Sequence, residues 1–237
     1  ACLEEGVAYI ISSLGNPTPL IKRAREVGTK VFCDIVSEKH AQKAIDAGAD
    51  GLIAVSGGAG GHAGDRSPFA LIPQLKDKFS VPIIAAGSIV NGRTMLAALA
   101  LGADAVYLGT RFIASEEADV PREYKEAILG SSMDDIVNTD RVDGFAGNFI
   151  NTPSFRKLVP ESGFVEKVLR TSGKLDRTWR LYKAGRALFA KPTDAKASYK
   201  TVFSAGHGVG LIEKVESAST IVHSLAREYW ELKKALP

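Results

Sequence analysis

Five glycines fall within the eight residues Gly57-Gly58-Ala59-Gly60-Gly61-His62-Ala63-Gly64, and one imidazole stands among them. Glycines at that density let a backbone approach a flat or anionic ligand and present successive N–H groups to it. They equally suit a mobile surface loop. No Lys-Ser/Thr follows, so this is not a Walker A loop, and the spacing is not that of the dinucleotide fingerprint. His62 could serve as a general acid or base near neutral pH, or could be a solvent-exposed histidine without a role. Two further segments pair glycine with a hydroxyl, Gly87-Ser88-Ile89 and Gly109-Thr110-Arg111. Each offers backbone N–H groups and an O–H, which suits a phosphate; two ordinary turns would look the same. Arg111 could meet that phosphate or a structural carboxylate. His40 and His223 read as surface or packing residues.

These segments each follow an apolar run. Candidate strands are Val7–Ser12, Lys30–Ile35, Gly51–Ser56, Val81–Ala86 and Ala105–Gly109. The runs are continuous rather than alternating, as parallel strands covered on both faces require. Helices between them have legible ends. Ser37 caps Glu38–Ala47 before Gly48, Ser67-Pro68 opens a helix towards Phe79, and Asn91 caps one through Leu101 before Gly102. Val27-Gly28-Thr29-Lys30-Val31, Ala47-Gly48-Ala49-Asp50-Gly51-Leu52 and Leu101-Gly102-Ala103-Asp104-Ala105-Val106 repeat one unit: helix, glycine stop, strand. Repeated βα units predict a parallel sheet, either a (β/α)8 barrel or a doubly wound one. In either, a ligand binds at the carboxyl ends of the strands, where the three glycine segments lie.

The 237 residues carry 30 Lys+Arg against 27 Asp+Glu, and 45% are hydrophobic. This is a globular composition, with no basic run for nucleic acid and no apolar stretch near the ~20 residues of a membrane span. Cys2 and Cys33 are too few for a disulfide framework or a metal cluster, so no metal is expected. Cys33, in Val31-Phe32-Cys33, reads as a small buried hydrophobe, and the cysteine usage suits a reducing compartment such as the cytoplasm. Glu4 and Glu5 stand where a secretory signal would be basic.

Three regions are predicted: 1–130 as βα units carrying the ligand site, 131–200 as short helices and loops, and 201–237 as a motif and amphipathic helix packing back on the barrel. That helix is placed at Glu213–Leu236. Residues 6–130 hold five strands at about 25 residues each, whereas a barrel needs eight and typically ~200 residues. Residue 1 is Ala rather than Met. Either the sheet is open or this sequence lacks the first barrel strands. The absent Met favours the second, so the expectation is an α/β, (β/α)8 barrel lacking its first strands in this sequence, with Val7–Ser12 at an exposed edge.

Gly57–His62, Ala85-Ala86-Gly87-Ser88-Ile89, Ala98–Ala105 and Gly109-Thr110-Arg111-Phe112, in that order, resemble the nitronate monooxygenase (2-nitropropane dioxygenase) family, to which the flavin-type enoyl-ACP reductases are related. Ser204-Ala205-Gly206 with Val209-Gly210 resembles its C-terminal motif. The likeness runs from about residue 6 to 230. It implies an FMN-dependent barrel with a helical insertion. FMN phosphate would be held by Gly87, Ser88, Gly109 and Thr110. The loop of Gly58, Gly60 and Gly61 would face the flavin ring, and His62 would be the active-site histidine. His207, where the family commonly has Gln, would contact substrate. The implied reaction is oxidation of an alkyl nitronate by O2 to a carbonyl compound and nitrite. The alternatives are NAD(P)H-dependent reduction of quinones or enoyl thioesters, and a non-catalytic phosphate-ligand-binding barrel or inactive fragment. The partners implied are a small-molecule substrate and O2, with neither nucleic acid nor membrane; a homodimer is compatible with them.

Overall fold

In the computed structural model the structure describes residues 2–159 and 201–236. Five parallel strands form one sheet in the order β1-β2-β3-β5-β6: β1 (Tyr9–Ser12), β2 (Lys30–Ile35), β3 (Gly51–Val55), β5 (Ile83–Ala86) and β6 (Ala105–Tyr107). All five predicted strands are present, four of them shorter by one or two residues at an end. The connecting helices are α1 (Thr18–Glu26), α2 (Glu38–Asp46), α3 (Pro68–Lys78) and α4 (Gly92–Ala100). The Ser37 side chain accepts from the His40 N–H at the start of α2, and Asn91 forms a reciprocal capping box with Thr94 at the start of α4.

The side chains show which parallel architecture this is. Val31, Cys33 and Ile35 of β2, Leu52 and Ala54 of β3, and Ile83 and Ala85 of β5 are buried in one core with Ile21, Ala41, Leu71 and Ala98 from α1 to α4. All four helices thus cover the same face of the sheet. A doubly wound sheet would have helices on both faces, so the units follow the (β/α)8 barrel pattern. The other face, with Phe32, Asp34, Ile53 and Val55, is the one a barrel turns inward. Among the described residues the ring does not close. β1 pairs only with β2 and β6 only with β5, and Tyr9 (66% exposed) and Ile11 (49%) stand on the open edge. Cys33 is buried, as expected.

The repeated Gly-Ala-Asp has a structural use. Asp50 Oδ2 accepts from the Val31 N–H at 2.9 Å, and Asp104 Oδ2 from the Ile83 N–H at 2.8 Å. Each carboxylate, just ahead of its own strand, ties down the start of the neighbouring one. Lys30 and Lys76 add ion pairs of 3.0 and 2.6 Å. The Ile83 N–H, with Lys76, holds the Asp104 carboxyl below its ordinary value. A depressed folded-state pKa means stabilisation that is complete above about pH 4 and is lost as pH falls through the lowered value. Asp104→Asn is expected to cost about 1 kcal/mol at pH 7, the low end for a charged hydrogen bond because the side chain is 41% exposed. Urea titrations should show that deficit shrinking as pH falls below about 4.

Residues 131–159 correct the expectation of short helices and loops. β7 (Ile136–Thr139) and β8 (Gly147–Ile150) form an antiparallel hairpin, extended by the two-residue β4 (Gly61–His62) into a second sheet, order β4-β8-β7. These strands have only four residues each, and the polar Asn138 and Asn148 interrupt their apolar character. The pair is satisfied internally, Asn138 Nδ2 donating to Asn148 Oδ1 at 2.9 Å. The remainder of the predicted insertion, 160–200, lies outside the described residues. Between the sheets come α5 (Thr110–Ile113), α6 (Arg122–Leu129) and, after β8, α7 (Pro153–Leu158). The terminal helix, α8 (Ala218–Ala235), begins five residues later than predicted. Ser217 caps it by accepting from the Thr220 N–H, and Glu216 is drawn into an extended bridge with Ser115. α8 packs on α4, with Glu228 Oε2 accepting from the Gly92 N–H at 2.8 Å. Among the described residues no helix is long and apolar enough to cross a membrane, and no group of three His, Cys, Asp or Glu is placed to hold a metal.

Candidate functional site

Two adjoining cavities open at the carboxyl ends of β2 to β6. The smaller, about 180 Å³, is walled by Gly60, Gly87–Val90, Tyr107, Gly109-Thr110, Ser204 and Gly206. The larger, about 610 Å³, runs between the β1 and β2 ends, α2 and the β7–β8 hairpin. Asp34, Val55 and His62 line both.

Both glycine-hydroxyl turns therefore reach one cavity. Gly87 has φ +118°, and a Cβ there would stand 2.6 Å from Ser56 Oγ, so only glycine fits. Ser88 follows at φ +55°, a left-handed conformation that costs a residue with a side chain roughly 1–2 kcal/mol. Its hydroxyl donates to the Gly58 carbonyl at 3.2 Å. The N–H groups of Gly87, Ser88, Ile89, Gly109 and Thr110 have no acceptor among the described residues. Thr110 Oγ1 accepts from the Gly206 N–H at 3.0 Å, leaving its own proton to donate. Gly109 has nothing within 4 Å of where a Cβ would stand. A cradle of unused backbone donors with room above it has the chemistry of a phosphate seat. The donors fit the phosphate of the flavin nucleotide that the resemblance implies, and the adjoining cavity of about 610 Å³ has the volume for a ring of that size.

The glycine loop is anchored from three sides. Gly58 O accepts from Ser88 and from the His207 N–H at 2.9 Å. Asn148 Nδ2 donates to Ala59 O at 2.7 Å, and Gly61 and His62 pair with Asn148 and Gly147. Gly58 and Gly61 thus shape the loop without lining either cavity. His207 is exposed and on neither wall, but both its N–H and its ring stand against Gly58 of the loop. His40, read as a surface residue, lines the larger cavity with Lys43. Arg111 pairs with the Glu216 carboxylate and donates to Lys214 O at 3.4 Å. Of the two roles open to it in the sequence, the structural one is realised.

His62 is where the geometry adds most. Its Nε2 lies 2.8 Å from Asp143 Oδ2, and its ring meets Phe145 edge-on at 5.5 Å. Asp143 is itself held, Oδ1 accepting from the Phe145 N–H at 3.1 Å. With a carboxylate accepting from Nε2, that nitrogen carries the proton and Nδ1 becomes the basic one. Sequence reading missed Asp143, because Asp143-Gly144 is indistinguishable from an ordinary turn. It also missed Asp34, which was detectable as the one charge inside an apolar strand. Burial pushes the Asp34 carboxyl up, a Ser13 hydrogen bond opposing this, and its Oδ1 is buried without a partner.

Helices on one face, a cleft at the strand ends and a donor-lined cradle beside an oriented histidine define a barrel-type α/β protein with a small-molecule site. Residues 1–228 match the nitronate monooxygenase family, and the chain belongs to it. It is 37% identical over 188 residues to the (3aS,4S,5R,7aS)-5-hydroxy-7a-methyl-1-oxo-octahydro-1H-indene-4-carboxyl-CoA dehydrogenase of Mycobacterium tuberculosis, covering 75% of this chain and 53% of that protein. The chain thus spans about half the length of that relative. Among solved structures it resembles FabK from Thermotoga maritima (TM-score 0.78, 33% identity, 99% of this chain and 71% of that one). It also resembles the nitroalkane oxidase of Streptomyces ansochromogenes (TM-score 0.74, 26% identity, 100% and 68%).

Proposed function

We propose that the protein is an FMN-dependent oxidoreductase that converts alkyl nitronates with O2 to a carbonyl compound and nitrite. The observation that carries this reading is the junction of the two cavities, where a phosphate-type cradle and a carboxylate-oriented histidine face the same space. FMN, when bound, supplies the electron transfer and the reaction with O2. The chain's own residues do the rest. Gly87 to Ile89 with Gly109 and Thr110 would hold the FMN phosphate, on the cavity wall to which Gly60 also belongs. His62 Nδ1 takes the α-proton of a neutral nitroalkane, or as imidazolium steadies the charge of a nitronate; Asp143 holds the ring and its tautomer.

A second reading, reduction of quinones or enoyl thioesters by NAD(P)H, is favoured by the size of the larger cavity. At about 610 Å³, lined also by Lys43 and His40, it has room for more than a small nitronate. The deciding experiment is spectroscopic. The purified protein should show flavin bands near roughly 370 and 450 nm. Anaerobic bleaching by ethyl nitronate but not by NADH supports the first reading, and the reverse supports the second. A protein without flavin bands even after incubation with FMN would leave a non-catalytic binding barrel.

A further inference from the structure

β2 contains one charged residue away from its first position. Val31, Cys33 and Ile35 face the helices and are buried there, so the alternation of a strand turns Asp34 to the opposite, cavity face. It is the penultimate residue of β2, in register with Ile53. Of the three residues shared by the two cavities, Val55 is apolar, so among the described residues Asp34 and His62 are the polar side chains at the junction. Among the described residues Asp34 Oδ1 is buried without a hydrogen-bond partner, although Ser13 bonds to the carboxyl. A buried polar atom without a partner is costly, and natural proteins keep few of them. The Asp34 carboxyl thus stands on the wall of both cavities, beside a candidate acid–base histidine, with hydrogen-bonding capacity that the described residues leave unused.

We propose that Asp34 is a second substrate-contacting residue, whose carboxyl hydrogen-bonds an oxygen of the substrate's reacting group and, once ionised, turns anionic substrates away. The proposal rests on the oxidoreductase reading for the identity of that group, a nitro, nitronate or thioester carbonyl. Burial favours the neutral acid, which donates to such an oxygen; the ionised form repels a nitronate and has no proton for a carbonyl. A cavity closed to nitronates at higher pH, and without its donor to neutral nitro compounds or thioesters, would follow. Among the described residues the titratable groups around Asp34 are His62 with its Asp143, His40 and Lys43 on α2, Tyr107 on β6, and Cys33 beside it. Only a limb that disappears on changing Asp34 itself can be assigned to it.

The test compares wild type, Asp34→Asn and Asp34→Leu in two assays. In steady state with ethyl nitronate, wild-type kcat/KM should fall roughly tenfold per pH unit above the Asp34 limb. Asp34→Asn, which keeps a donor but cannot ionise, should show no such limb. Below that limb Asp34→Leu should lose roughly 10- to 100-fold in kcat/KM relative to wild type, the usual worth of a polar contact to substrate, and should show no limb of its own. Independently of turnover, the 13C carboxyl resonance of Asp34 should titrate above ordinary aspartates, and ethyl nitronate should move that titration further up. An unchanged limb in Asp34→Asn, or an Asp34 resonance indifferent to ethyl nitronate, overturns the proposal. Absence of flavin and of all turnover with the nitronate-induced shift intact would instead defeat the oxidoreductase reading alone.

Discussion

His62→Ala should lower turnover of neutral nitroalkanes by about 10²–10⁴-fold, the range that a positioned acid–base group supplies. The expectation comes from the pairing with Asp143. A carboxylate 2.8 Å from Nε2 fixes which nitrogen bears the proton, so the other is presented as a base in one orientation. A nitronate has already lost the proton that His62 would remove, so its turnover should fall much less. Measuring both substrates at one pH separates the roles: equal losses would mean that His62 positions substrate and moves no proton. Asp143→Asn keeps the size of the partner but can present its amide to Nε2, favouring the other tautomer. It should therefore fall in the same direction as His62→Ala with the neutral substrate, by a smaller factor. Because Asp143 lies in the half-buried turn between β7 and β8, and β8 pairs with β4 through backbone bonds, the fold should survive either change. Circular dichroism and bound flavin would verify that before rates are compared.

The parts legible in the sequence were those governed by local rules. β2, β3 and β5 are continuous apolar runs closed by glycine-terminated helices, and the same glycine segments that end them carry the site, because a parallel fold gathers strand ends. The β7–β8 hairpin obeys no such rule. Asn138 and Asn148 would mark their segments as loop, and they belong in a sheet only because each finds a partner, one across the hairpin and one in Ala59 of a segment 89 residues away. The Arg111–Glu216 pair is likewise set by tertiary packing across 105 residues, which no spacing signals. Asp34 lies between these cases. A carboxylate inside a core strand contradicts its neighbours' chemistry, and such local contradictions concentrate at functional positions. Its meaning emerges only once the strand's two faces are known.

Gly109→Leu should strip the protein of flavin while leaving it folded. Gly109 has φ −108°, a conformation open to any residue, and no atom lies within 4 Å of its missing Cβ. The new side chain thus meets neither backbone strain nor a clash, and it enters the 180 Å³ cavity from the wall that also bears Gly87, Ser88 and Thr110. A phosphate seated there would lose its room, and an apolar side chain would cover the N–H groups of Gly109 and Thr110. Bound FMN after purification should drop at least about tenfold, with unfolding of the apoprotein shifted by no more than about 0.5 kcal/mol, the scale of a substitution in open space. Gly58→Ala serves as the contrast. There φ is +92° and the added Cβ would stand 2.5 Å from Ser88 Oγ, so both stability and flavin content should fall together. Flavin retained by Gly109→Leu at wild-type occupancy would place the phosphate elsewhere. The unused donors at the ends of β5 and β6 would then need a different anion to answer them.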